Sequence, residues 1–427
     1  MTLLNKLLHN YDITLDKAGV SGTRLAQRLD SLSKIGPTPE GGSFRLGLSL
    51  EEKQAKELVK TWMKEAGLEV TEDGAGNVFG KLEGKNSSLP SIWTGSHVDS
   101  VPNGGHFDGP LGVLAALEVI EAWKETGFQP NRNVEVVIFT DEEGSRFYSG
   151  LMGSRAVTGE IEYNVQFERV DSEGTTFSQA LEAYGSNREQ FKKAKRNMEE
   201  VELFVEVHIE QGKQLEKANM PVGIVTGIAG PYVMEVHFSG VAGHAGNTPM
   251  NDRTDALVTA SEFICKVETL PAQISSTAVA TVGKLFVKPN GVNVIPGQVE
   301  LFVDIRDIDE ENRDKLVDLV HQAAYEIATN RGVEAKVVEH LRIPPVPIRQ
   351  ELQEKLKSVL ENYGIEPTYI PSGAGHDAMI LGNKVPVAMI FARSKDGISH
   401  NPKEWTTLND CVYSVHVLKD FIEEISD

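Results

Sequence analysis

Two runs of strand-forming residues, 91–94 and 134–140, flank a glycine-rich loop and a helical stretch over 111–126. That alternation constrains the fold more than anything else in the chain. Parallel strands need a long crossover, usually a helix, and such sheets are covered on both faces. The expectation is an α/β protein built on a mostly parallel sheet flanked by helices. Upstream, Ser49-Leu50-Glu51-Glu52 reads as a capping box. Ala55, Leu58, Val59, Trp62 and Met63 follow on one helical face and Gly67 stops the helix, which gives an amphipathic surface helix. A third strand over 201–209 runs into His208-Ile209-Glu210-Gln211-Gly212. Residues 160–200 are polar, and Lys192, Lys193, Lys195 and Arg196 read as a solvated face.

A different rhythm begins near residue 230. Tyr232, Met234, Val236 and Phe238 alternate as in a half-buried strand, and Ala256, Leu257, Ala260, Phe263, Ile264 and Val267 follow helical spacing. Strands near 276–285 and 298–306, a helix over 309–330 and a strand over 333–341 complete a βαββαβ order, the ferredoxin-like arrangement. The α/β pattern resumes beyond Pro344, Pro345 and Pro347, which read as a connector or hinge. The chain therefore divides into a discontinuous domain, 1–227 and 342–427, and an inserted domain, 228–341. Its 427 residues are ample for both.

Charge narrows the function classes. With 62 acidic and 42 basic side chains, a net charge of -20 argues against nucleic acid or an anionic membrane as partner. Cys265 and Cys411 form no disulfide framework and no CxxC motif. The first residues carry Lys, His and Asp among their leucines, unlike a signal peptide, and no stretch reaches membrane-spanning length. A soluble, cytoplasmic protein is expected.

Eleven histidines must be weighed by their neighbours. His97 directly follows a strand, where ligands collect in open α/β sheets, and Asp99 stands two residues on, placed to orient its imidazole. Asp108 precedes the helix over 111–126, so it is either a helix N-cap or a metal ligand. Asp141-Glu142-Glu143 closes the next strand. A surface turn is one reading; the other is a carboxylate pair in which one member ligates metal and its neighbour accepts a proton from water. His208 ends the third strand and His400 lies in a loop. His97, Asp108, Glu143, His208 and His400 offer nitrogen and oxygen donors without sulfur, a set suited to zinc, manganese, cobalt or nickel. Arg306 shares a strand face with Phe302 and Asp304, opposite Leu301, Val303 and Ile305; it is a surface arginine or a bidentate carboxylate binder. His244 sits between small residues in a loop, free to donate to an oxyanion.

The segments GSHVDSV, GGHFDGPLGV, TDEEGSRF, HIEQG, GHAGNTPM, NVIPG, SGAGHDA and GISHNPKEW, in that order from residue 94 to 405, resemble the amidase, hydantoinase and carbamoylase branch of the M20 metallopeptidases. HIEQG separates this branch from the M20 peptidases proper. The resemblance implies a zinc-peptidase-like catalytic domain with an inserted lid and dimerisation domain, and two divalent ions per subunit. One ion would be held by His97, Asp108 and His208, with Asp108 bridging to a second completed by Glu143 and His400. It makes Glu142 the general base, supported by Asp99, and gives His244 an oxyanion contact in the opposite subunit of a homodimer. Asn293 and Arg306 match binders of a substrate α-carboxylate, and Gln211, Gly375 and His376 match substrate-contacting positions. Asn247 stands where Thr is usual and His106 where Lys, Arg or Asn is usual, and neither is a proposed ligand. The implied reaction is hydrolysis of the ureido C–N bond of N-carbamoyl-L-amino acids to amino acid, ammonia and carbon dioxide. Allantoate is the rival substrate. An M20 aminoacylase or peptidase, and a non-catalytic metal-binding dimer, are the remaining readings.

Overall fold

The computed structural model describes residues 2–426. The chain forms two compact units, one of Met1–Thr226, Ile348–Ile370 and His376–Asp427, the other of Gly227–Pro347 with Pro371–Gly375. No helix among the described residues is long and apolar enough to cross a membrane.

A mixed sheet underlies the first unit. Its centre is four parallel strands in the order Val134–Phe139, Ser91–His97, Val201–Ile209, Val387–Ala392. Antiparallel strands extend it on both sides, Val78–Leu82 beside the first and Val222–Ile228 beside the last. The sheet is thus parallel at its centre and antiparallel toward its edges. The central strands are buried along almost their whole length, which is why their sequences run apolar without alternation. Gly95 marks a close approach between two of these strands: its φ is 149°, and a Cβ there would lie 2.0 Å from the Val137 carbonyl oxygen. The crossover helix Pro110–Thr126 is buried on nearly every side, packed between the sheet and the helices Gly22–Leu32 and Leu408–Ser426.

The helix Leu50–Ala66 departs from expectation in an instructive way. Ser49 caps it by accepting from the Glu52 amide at 3.1 Å, and Gly67 ends it at φ 96°. Yet the Glu52 carboxylate does not complete a capping box. Fully buried, it accepts from the Leu48 amide at 2.7 Å and pairs with buried Lys56 at 2.7 Å. The Lys56 ammonium spends its other protons on Gly76 O and Thr140 Oγ1, at 3.0 and 2.7 Å. The pair lies inside, on the same helical face as Ala55, Val59 and Met63, braced against the end of the strand that leads to Glu142.

The polar stretch 160–200 also holds more structure than its charge suggests. Phe167, Phe177 and Phe191 pack edge to face with Phe147 and Tyr163 into a separate aromatic core. Arg196 is no solvated side chain: its guanidinium lies 3.4 Å over the Phe79 ring and pairs with Glu135.

In the second unit the order is strand Gly230–Ser239, helix Ala256–Thr269, strands Val279–Lys288 and Gln298–Asp307, helix Glu310–Asn330 and strand Glu334–Arg342. The four strands form an antiparallel sheet with Gly230–Ser239 and Gln298–Asp307 at its centre. Tyr232, Met234, Val236 and Phe238, with Leu301, Val303 and Ile305, turn into the core under the two helices. The three-proline segment is not a free hinge, because Val346 and Pro347 pair antiparallel with Ile228 and Gly227.

Lys56→Met strands the Glu52 carboxylate in the interior. A loss of about 3–5 kcal/mol is expected from urea denaturation, the usual cost of breaking a buried pair; a loss below about 1 kcal/mol would show that the pair contributes little to stability.

Candidate metal centre

Parallel pairing sets the site. His97 is registered with Phe139, and His208 with Phe391, so His97, the turn 141–143 and His208 leave the sheet at one carboxyl edge. The loop before the crossover helix carries Asp108. The residue that starts that helix is Gly109, with Pro110 in its first turn and no side-chain cap, so Asp108 is not an N-cap. Gly109 has φ 80° and lies flat against His97, where a Cβ would come within 2.4 Å of the imidazole Cε1. That close approach lets Asp108 and His97 face the same point.

Two groups of donor atoms converge, His97 with Asp108 and His208, and Asp108 with Glu143 and His400. Asp108 divides its oxygens between them. Its Oδ1 lies 3.1 Å from His208 Nε2 and 3.7 Å from His97 Nε2, and its Oδ2 lies 3.4 Å from His400 Nε2, which is also 3.4 Å from Glu143 Oε2. Ligands bonded at about 2.1 Å to a tetrahedral cation stand roughly 3.4 Å apart. Most of these separations are therefore those of donors around an ion. His97 Nε2 is buried without a hydrogen bond. Donor types, spacing and this orphaned nitrogen all fit divalent metal.

The electrostatics agree. Burial drives the Glu142 carboxyl well above its ordinary range, reinforced by Glu143 and Asp377 against the pull of His97. Burial and then Asp108 push Glu143 to about 7. Burial would raise Asp108 too, but hydrogen bonds from His208 and His400 hold it well below the usual carboxylate value. Like charges confined in this way favour a cation among them.

Asp99 acts through its neighbours. Its two oxygens accept from the Glu142 and Glu143 amides, both at 3.2 Å, and Oδ1 stands 3.4 Å from His97 Nδ1. It positions the carboxylate turn and the imidazole together. Gln211, at φ 54°, donates from Nε2 to Asp108 Oδ2 at 2.9 Å and to Ser399 Oγ at 3.0 Å. The His376 ring lies 4.4 Å from that of His208, and burial, with His208, keeps its pKa well below the ordinary value. Gly375 falls in the segment grouped with the second unit.

The second unit carries the other candidates. His244 Nδ1 accepts from the Gly246 and Asn247 amides, at 3.1 and 3.2 Å, which assigns its proton to Nε2 and leaves an exposed N–H donor. Asn293 is exposed beside it, its carbonyl accepting from the Ala245 amide at 3.0 Å. Arg306 is already held as a fork by Asp304, at 2.8 Å twice, and donates to Gly373 O at 2.7 Å. Of its five N–H groups two remain.

Sequence reasoning missed several residues around these groups. Glu206, two residues before His208 in a buried strand, accepts from Ser96 Oγ and the Ala378 amide. Ser399 and Glu404 bind at Asp108. An acidic residue inside an apolar strand was the available signal for Glu206. A surface group, Glu235, His237 and Glu300, also clusters, but there Glu235 already pairs with His237 and His340.

Over residues 93–424 the chain matches the model of Peptidase family M20/M25/M40. It is 43% identical over 399 residues to an N-carbamoyl-L-amino acid amidohydrolase of Geobacillus stearothermophilus, covering 93% of this chain and 97% of that one. It is 37% identical over 403 residues to an allantoate amidohydrolase of Bacillus subtilis (strain 168), covering 93% and 96%. Among solved structures, an amidase of the hydantoinase/carbamoylase family from Burkholderia multivorans is similar with TM-score 0.89 and 35% identity, covering 95% and 98%.

Asp108→Ala removes the carboxylate common to both donor groups. It is expected to lower bound zinc or manganese further than His208→Ala or His400→Ala, measured as metal per chain after dialysis. Equal metal content in all three and the parent protein would rule the groups out as ligands.

Proposed function

The chain belongs to Peptidase family M20/M25/M40, and from that premise we propose that it hydrolyses the carbamoyl C–N bond of N-carbamoyl-L-amino acids at a centre of two divalent ions. The observation that carries this reading is the division of Asp108 between two donor groups, with Glu142 beside them. His97, Asp108 and His208 would hold one ion, and Asp108, Glu143 and His400 the other. Bound there, the ions supply Lewis acidity toward the ureido carbonyl and toward water.

The chain's own residues do the rest. Glu142, its carboxylate 3.7 Å from His97 Nε2, takes the proton of the attacking water and delivers it to the departing amino-acid nitrogen. The bond from the carbonyl carbon to that nitrogen breaks, and the carbamic acid released decomposes to ammonia and carbon dioxide. The Nε2–H of His244 donates to the carbonyl oxygen as negative charge builds on it. Arg306, held in place by Asp304, offers its two remaining N–H groups to the substrate carboxylate, and Asn293, which stands beside His244, reaches that carboxylate with it from the opposite subunit. Gln211 and His376, close to Asp108 and His208, contact the ureido end, with Gly375 beside them. The first unit is read as the catalytic domain and the second as an inserted ferredoxin-like lid through which a homodimer forms, so that His244 serves the opposite subunit.

The relative named for N-carbamoyl-L-amino acids supports this substrate class. The relative named for allantoate favours a second reading, since allantoate also joins a carboxylate to ureido groups. Turnover of N-carbamoyl-L-amino acids, allantoate and N-acetyl-amino acids by protein reconstituted with manganese, zinc or cobalt decides between them. Cleavage of N-acetyl substrates alone would overturn the carbamoyl reading. Under the same conditions Glu142→Gln should keep its metal and lose roughly 10²–10⁴-fold in kcat; full turnover would remove Glu142 as the base. Arg306→Ala should raise KM for carboxylate substrates roughly ten- to hundredfold, the weight of a charged hydrogen bond; an unchanged KM would remove Arg306 from the site.

A further inference from the structure

Glu404 lies four residues past His400 and is only 3% exposed. A buried carboxylate needs donors, and these come from both sides of the metal centre. Its Oε1 accepts from the backbone amides of Phe107 and Asp108, at 2.9 and 3.1 Å. Its Oε2 is 3.0 Å from Ser399 Oγ, which lies 2.7 Å from Asp108 Oδ2. One side chain thereby joins the backbone of the loop bearing Asp108 to the loop bearing His400, far along the chain. The join leaves no slack. A Cβ on Gly105 would lie 2.1 Å from the Glu404 carboxyl carbon, so the glycine loop is wrapped directly onto this carboxylate.

Asp108 is the residue both donor groups share, and its placement depends on few contacts. The following helix does not hold it through a cap. Its Oδ2 receives Ser399 and Gln211 and faces His400, while Oδ1 faces His208 and His97. Ser399 has one hydroxyl proton for two carboxylates, and the shorter contact is to Asp108.

We propose that Glu404 is a positioning residue for the metal centre, fixing the backbone of Asp108 and the Ser399–His400 loop at the separation both donor groups require. The inference rests on the two-ion reading above. Outer contacts of this kind typically alter metal affinity by roughly 10–100-fold when removed.

The test is zinc affinity, measured by competition with a chromophoric chelator on the full chain without substrate. Glu404→Ala leaves two buried amides without an acceptor and is expected to bind zinc roughly 10–100-fold more weakly. Glu404→Gln keeps a carbonyl oxygen for those amides and an amide donor for Ser399. It should restore affinity to within about threefold, because what it preserves is the hydrogen-bond geometry. At saturating metal, KM for substrate should be unchanged in both. Should Glu404→Ala not fold, Ser399→Ala carries the test, with an expected weakening of roughly tenfold. Wild-type affinity in Glu404→Ala, or in Ser399→Ala where it stands in, would overturn the proposal, as would equal weakening by Gln and Ala. If the wild-type chain itself bound no zinc, manganese or cobalt, the two-ion reading would fail instead.

Discussion

Everything about the first unit's site follows from the confinement of negative charge at one edge of a sheet. Asp99, Asp108 and Asp141 are buried there, and Glu142 and Glu143 are largely so. Carboxylates so placed repel one another and are poorly solvated, and an interior of hydrocarbon does nothing to relieve them. The protein answers with fixed cations and donors behind the site. Buried Lys56 braces the end of the strand before Asp141, and buried Arg45 fastens the segment after His97 by donating to the Val98 carbonyl at 2.8 Å. On the open side the balancing charge is left to imidazoles and to any cation that the donor groups take up. The division makes the scaffold rigid where it carries the ligands and electrostatically incomplete where it meets a ligand.

Much of this was legible in the amino-acid order because strands and helices of this fold advertise themselves. His97, Glu143 and His208 each follow an apolar run, and the rule that parallel strands end at one edge brings them together. Asp108 was ambiguous because a helix start and a metal ligand call for the same residue type. The structure gives the cap position to Gly109, and periodicity carries no record of that backbone angle. The capping box read at Ser49 to Glu52 did not close for a related reason. Local spacing cannot reveal that Lys56, one turn on, draws the Glu52 carboxylate inward, or that Thr140, distant in sequence, waits beneath them. Glu404 lay within a recognised segment but had no role, since its partners are amides that every residue possesses.

The second unit shows the same limit in another form. The alternation in 232–238 and 301–305 gave its sheet and core correctly, because a two-residue period reads out which side is wet. It also put Arg306 on the open face. It could not show that Asp304 grips the guanidinium from two residues away, or that two backbone amides fix the tautomer of His244. These details decide what each side chain has left to offer a ligand.

The strand Val387–Ala392 lies between Val201–Ile209 and Val222–Ile228, although the whole of the second unit's main segment intervenes in the chain. A strand at the middle of the first unit's sheet is therefore supplied from beyond that segment. Its pairing with both neighbours is a long-range contact, which carries a loop-closure cost. His400, carried just beyond that strand, is brought to the other donor groups by this same long-range pairing.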